Sequence, residues 1–183
     1  MERKATAAGG SLADRPQTAA FIITREFNAP RERVFKAWTE AGQLMRWWGP
    51  RNFTIPFCKV DPRPGGIFHF CMRSPEGKDY WGKGIYREVA APERLVYTDS
   101  FSNEKGDFVE PSQYGMAPDW PAETLITVTF EEQGNKTKLT LNGGVTAELA
   151  KKHMADQGWN ESFDRLEEYL KKVRLSGEQP AFE

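Results

Sequence analysis

The sequence has little of what usually announces an activity. No apolar run approaches the roughly 20 residues that a membrane-spanning helix needs, so no span is expected. Two cysteines, Cys58 and Cys71, are too few for a secreted disulfide scaffold and suit a cytoplasmic protein with reduced thiols. Two histidines, His69 and His153, leave little for imidazole acid–base work. Gly-rich phosphate loops, nucleophile elbows and paired catalytic carboxylates are missing. Charge of one sign does not accumulate: 25 Lys and Arg stand against 26 Asp and Glu, which gives no electrostatic reason to expect nucleic acid or an anionic membrane as partner. Residues 1–19 contain no apolar h-region and read as a disordered leader, not a secretory signal. Residues 176–183 are polar and read as a flexible tail. The span 20–175 is long enough for one domain with a core of its own.

Aromatic residues and alternating strands are abundant. In 147–173 the apolar residues Trp159, Phe163, Leu166, Leu170 and Val173 recur at steps of four and three, with Asn160, Glu161, Asp164, Arg165, Glu167 and Glu168 between them. That is one apolar stripe on a long helix with a charged outer face. Strands are expected at 20–27, 54–60, 66–73, 79–89, 94–101, 123–130 and 136–142. Two short helices follow the first strand: one capped by Asn28 with Pro30 in its first turn, the other over 39–46 with Leu44 and Met45 inward. Asp61-Pro62-Arg63-Pro64-Gly65 is turn chemistry. A hairpin centred between Pro64 and Gly65 would pair Phe57 with Met72 and Cys58 with Cys71. That register puts Ile55, Phe57, Phe68, Phe70 and Met72 on one face and His69 and both cysteines on the other; a bulge at Gly65 or Gly66 would reverse this. Gly82 and Gly84 lie inside a strand, where glycine marks a bend or a close approach. Residues 102–122 form a loop long enough to be a lid or a binding loop. One sheet and one long helix make an α+β layering in which the helix must cover the sheet's apolar face.

Several segments carry a family resemblance. Ala29-Pro30 with Val34-Phe35, Trp47-Trp48-Gly49-Pro50, Asp61-Pro62-Arg63-Pro64-Gly65-Gly66-Ile67-Phe68-His69-Phe70 and Pro92-Glu93-Arg94-Leu95-Val96-Tyr97 begin it. Thr127-Val128-Thr129-Phe130, Thr137-Lys138-Leu139-Thr140-Leu141 and Gly158-Trp159-Asn160-Glu161-Ser162-Phe163 complete it. In order and spacing, over about residues 20–172, the chain resembles the heat-shock protein 90 ATPase activator homologue-like family of the START-like (SRPBCC) superfamily. The resemblance implies the α+β helix-grip fold: a curved antiparallel sheet of six to seven strands around a long C-terminal helix, with two short helices after strand 1. It also implies an apolar cavity between sheet and helix. Superfamily members bind lipids, sterols and polyketides there, and a few catalyse cyclisation or condensation.

Six tryptophans and twelve phenylalanines exceed what a core of this size needs. Any single ring is best read as core filling; as a group they suit the lining of an apolar pocket. The expected lining or mouth residues are Trp48, Phe57, Phe68, Phe70, Tyr97, Trp120, Met154 and Trp159. The expected partner is a small hydrophobic molecule, with no cofactor, no metal and no catalytic residue assigned. Cys58, Cys71 and His69 lack a fourth ligand for structural zinc. Arg73 and Asp99 read as strand-end residues in water, although an inward Asp99 beside Tyr97 or Tyr80 would be the best acid–base candidate. The alternatives to simple binding are a cyclase- or hydrolase-like enzyme in the same cavity, and a co-chaperone or stress-response protein acting on a chaperone ATPase. A homodimer through exposed aromatics or an edge strand is the expected self-association.

Overall fold

A computed structural model describes residues 19–176. The expected leader, apart from Ala19, and the expected tail, apart from Ser176, lie outside the described residues. In chain order the elements are β1 (Ala20–Phe27), α1 (Arg31–Thr39), α2 (Ala41–Trp47), β2 (Thr54–Val60), β3 (Ile67–Arg73), β4 (Asp79–Ala90), β5 (Arg94–Ser102), β6 (Glu123–Gln133), β7 (Lys136–Thr146), α3 (Ala147–Lys152) and α4 (Ala155–Ser176). The strands form one antiparallel sheet in the order β1-β7-β6-β5-β4-β3-β2. Consecutive strands are neighbours except where β1 joins β7, so the first strand closes onto the last. The result is the helix-grip fold. Among the described residues no helix is long and apolar enough to cross a membrane.

Strand alternation decides which residues the helix covers. Ile23 of β1 and Leu95, Tyr97, Ile126, Val128, Phe130, Leu139 and Leu141 of β5–β7 face it and are buried. On α4 the stripe Phe163, Leu166 and Leu170 is buried and Trp159 is packed against its rim. Each fully buried ring or leucine of this kind stabilises the fold by about 1.5–3 kcal/mol of apolar transfer. Large rings fill the gap between a curved sheet and a straight helix. Trp38 stacks on Trp159 with centroids 6.2 Å apart and meets Trp48 at 5.8 Å, while Trp48 meets Phe68 at 5.1 Å and Phe70 at 5.5 Å. Much of the aromatic content is therefore core.

Several local expectations are corrected. The β2–β3 register differs by one: Phe57 pairs with Cys71, Cys58 with Phe70 and Val60 with Phe68. The loop is centred on Pro64, because the Asp61 carbonyl accepts from the Arg63 N–H at 2.8 Å and the Arg63 carbonyl from the Gly66 N–H at 2.7 Å. Only glycine fits at position 66, where a Cβ would stand 1.9 Å from the Asp61 oxygen. Cys58 and Cys71 consequently point to opposite faces. Helix α1 begins after Pro30 rather than Asn28, with no side-chain cap, and α2 buries Gln43, Leu44 and Trp47 while Met45 is 38% exposed. Strand β7 runs on through Gly143 and Gly144. The long helix is two helices, broken at Met154 with φ of 57°.

Arg165 was expected on the charged outer face of the helix. Its guanidinium instead donates from Nη1 to the carbonyls of Trp48, Gly49 and Pro50 at 2.8, 2.9 and 2.9 Å. These carbonyls follow the end of α2, where backbone acceptors have no helical partner. Burial holds the Arg165 pKa below its ordinary value without removing its charge. Hydrogen bonds to a charged donor contribute more than neutral ones, so Arg165→Ala is expected to cost roughly 2–3 kcal/mol in urea unfolding. Lys171→Ala, which removes an exposed pair with Glu167, is expected to change stability by less than about 0.5 kcal/mol.

Candidate functional site

A cavity of about 160 Å³ opens between the concave face of β3–β6 and the connection from β5 to β6. Phe70 and Met72 of β3, Tyr80 and Gly82 of β4, Asp99 and Phe101 of β5 and Thr124 of β6 form its floor, and Trp120, Pro121 and Ala122 close it from the loop. Room for it comes from Gly82. A Cβ there would meet the Phe70 ring at 2.4 Å, so the ring lies across the strand where a side chain would otherwise stand.

The loop is tied down at both ends. Tyr114 donates its hydroxyl proton to the Ser102 carbonyl at 2.8 Å and packs on Tyr80 and Phe101. Further along, Asp119 accepts from Lys152 and from His153 Nε2, the latter at 2.8 Å, and Trp120 sets its edge against the His153 ring. Hydrogen bonds from Lys152 and then His153 hold the Asp119 carboxyl below the usual carboxylate range. Both partners stand at the α3–α4 break, so the loop closes the cavity by gripping the point where the long helix is interrupted.

Asp99 is the charged group of this site. It does not end a strand in water, as expected, but faces inward between Tyr97 and Phe101. Among the described residues no hydrogen bond or ion pair reaches its carboxylate, and burial pushes its pKa up to about 7. Tyr97 lies beneath it on the same strand face; its hydroxyl has no partner among the described residues, and burial followed by the Asp99 charge raises its pKa well above the ordinary value. Arg73 does lie in water, paired with Asp79 at 2.6 Å.

Of the residues expected to line a pocket, the structure brings Phe70 and Trp120 to this one. Trp48, Phe68, Tyr97 and Trp159 belong to the adjoining aromatic core. Met154 is 62% exposed at the helix break. Phe57, 39% exposed, lies on the outer face against His69 and Trp81, as the shifted register requires. His69 also lies on that face, with Nε2 3.2 Å from the Asn103 carbonyl oxygen. Burial raises Cys58 to about 12 and Cys71 to about 11, so neither thiol is poised to react. Among the described residues no three His, Cys, Asp or Glu side chains gather as metal ligands. Sequence reasoning missed Asp119 and Thr124; it named Tyr80 only as a neighbour of an inward Asp99 and Met72 only for its strand face. The strand alternation that places Tyr97 inward would also have placed Asp99 and Phe101 inward.

A helix-grip scaffold with a small, aromatic-walled cavity under a tethered loop is the class of protein that fold and site define. The family described as "Activator of Hsp90 ATPase homolog 1-like protein" matches residues 28–171, and the chain belongs to it. Among solved structures it is similar to a protein from Nitrosomonas europaea, at 25% identity over 88% of this chain and 99% of that one, with a TM-score of 0.69. A protein from Arthrobacter aurescens is similar at 25% identity over 85% and 88% of the two chains, with a TM-score of 0.71. The AHSA1 protein from Silicibacter pomeroyi shares the fold, at 22% identity over 84% and 98% and a TM-score of 0.65. No curated protein matches the chain.

The Asp99 geometry makes stability depend on pH. In the unfolded chain the carboxyl ionises near 3.9; in the folded chain it holds its proton up to about 7. Below pH 4 it is protonated in both states and costs nothing. As pH rises from 4 to 7 the unfolded state gains by ionising, so stability falls, and the penalty levels off above 7 at an upper bound of roughly 4 kcal/mol. Asp99→Asn is therefore expected to match the parent at pH 4 and exceed it at pH 8. Urea midpoints across this range measure the difference, and a gap that stays constant with pH would overturn the assignment.

Proposed function

We propose that the chain reversibly binds a small hydrophobic or amphipathic molecule in the cavity under Trp120. One observation carries this reading: an aromatic-walled space with a single unpartnered carboxylate on its floor. Ligand sites are apolar concavities with a few placed polar groups, and this cavity has that composition. Its volume is close to that of an engineered apolar cavity of about 150 Å³ that accepts benzene. The buried part of the ligand is accordingly about the size of one six-membered ring, and a longer molecule would extend past Ala122 into solvent.

A second reading is an enzyme of cyclase or hydrolase type in the same cavity. The observation that favours it is again Asp99, since a carboxyl titrating near neutral pH suits general acid–base work. Reversible binding has the better support, because among the described residues no two polar side chains lining the cavity hydrogen-bond each other as a nucleophile and base would.

Native mass spectrometry of freshly purified protein, followed by denaturation and identification of what is released, tests the proposal. A near-stoichiometric small molecule is expected from the parent chain. Ala122→Trp, which places a large ring at the exposed rim, is expected to lose that molecule while unfolding at an unchanged urea midpoint. A molecule retained equally by Ala122→Trp would place the ligand elsewhere.

A further inference from the structure

We infer that the cavity takes an organic cation: a protonated amine on an apolar body of about benzene size, its ammonium set on Asp99 and its body against Phe70, Phe101 and Trp120. This rests on the reading of the cavity as a ligand site and specifies the chemistry that the site selects.

Three observations converge on it. First, the Asp99 side chain faces into the cavity, is half-buried, and has no donor among the described residues. A buried carboxylate without a partner is costly, and the cost is removed when a cation arrives with the ligand. Second, the described residues lining the cavity include no Lys, Arg or His, so no cation among them neutralises that charge and an anionic ligand would meet repulsion. Third, four aromatic residues, Phe70, Tyr80, Phe101 and Trp120, line the cavity. Aromatic rings grouped around a carboxylate recognise ammonium groups through their quadrupoles. Tyr80 already accepts a cation in this way: Lys78 Nζ stands 4.9 Å from its ring centroid.

The surrounding ionisable groups leave this logic intact. Tyr97 on the same strand stays a neutral phenol, because burial raises its pKa well above the ordinary value. On the loop side, Lys152 and His153 are both engaged by Asp119, on the far side of Trp120. A neutral ligand could instead accept a hydrogen bond from protonated Asp99, and this alternative makes the opposite prediction for charge and pH.

The test compares probes of equal shape: benzylamine, benzyl alcohol and benzoate, titrated into the full chain by isothermal calorimetry at pH 8. Benzylamine is expected to bind at least tenfold more tightly than benzyl alcohol, and benzoate not at all. Asp99→Asn is expected to abolish the preference for the amine over the alcohol. The parent chain supplies a check that needs no variant: lowering the pH to 5.5 is expected to shrink the amine preference, because Asp99 then carries its proton. Benzyl alcohol binding as tightly as benzylamine would overturn the inference while leaving the ligand-binding reading standing. If no probe binds and nothing is released from the purified chain, both readings fail.

Discussion

The contact between the Phe70 ring and Gly82 divides the interior into a filled part and a hollow part. On one side the ring joins Trp48 and Phe68 in the aromatic cluster that α4 covers. On the other it is a wall of the cavity. A side chain at position 82 would push the ring away, either into the tryptophans or into the open space. Interiors pack close to crystal density, so a ring held in this way has few alternative positions. Core and site are thus not independent: the Trp38–Trp48–Trp159 cluster supports the ring that gives the cavity its shape.

The sheet and the gripping helix were legible because their signals are periodic and redundant. Val128 and Leu141 fall on the helix-facing side in any antiparallel register that buries one face, and Phe163, Leu166 and Leu170 repeat at helical spacing. What periodicity cannot supply is a one-residue count. The β2–β3 loop turns on whether its centre is Pro64 or the bond after it, and the answer lies in the close approach of Gly66 to the Asp61 carbonyl. That one residue decides whether Phe57 enters the core or packs with His69 and Trp81 outside. The break at Met154 has no glycine or proline to announce it. It coincides with the place where Asp119, more than thirty residues earlier, takes hold of Lys152 and His153. Helix propensity is a local quantity, and a long-range contact of this kind overrides it.

Residues that combine charge with burial were the hardest to read. Arg165 occupies a position that helical periodicity gives to solvent, yet its long stem lets the guanidinium reach back to carbonyls beyond α2. Asp99 occupies a position that strand alternation gives to the interior, yet its charge argues for water. The pattern and the chemistry disagreed at both positions. The geometric pattern won for Asp99; for Arg165 the chemistry of unsatisfied carbonyls won. In both cases the decisive partner, or its absence, depends on segments distant in sequence.

Asp99 and Arg165 also differ in what they do for the fold. Arg165 gathers the Trp48, Gly49 and Pro50 carbonyls on one guanidinium, so its charge supports the structure. Asp99 satisfies nothing. At neutral pH it weakens the fold, and an amide of the same shape would avoid that cost. A sequence that specifies its fold consistently has little use for such a group in its interior, and violations of local rules concentrate where function requires them. Here the violation stands at the floor of a cavity, surrounded by ring faces and closed by a loop with its own tether. Folding stability does not explain that combination, whereas a cationic ligand gives each part a role: the carboxylate neutralises it, the rings cover it, and the loop excludes the water that would compete for both.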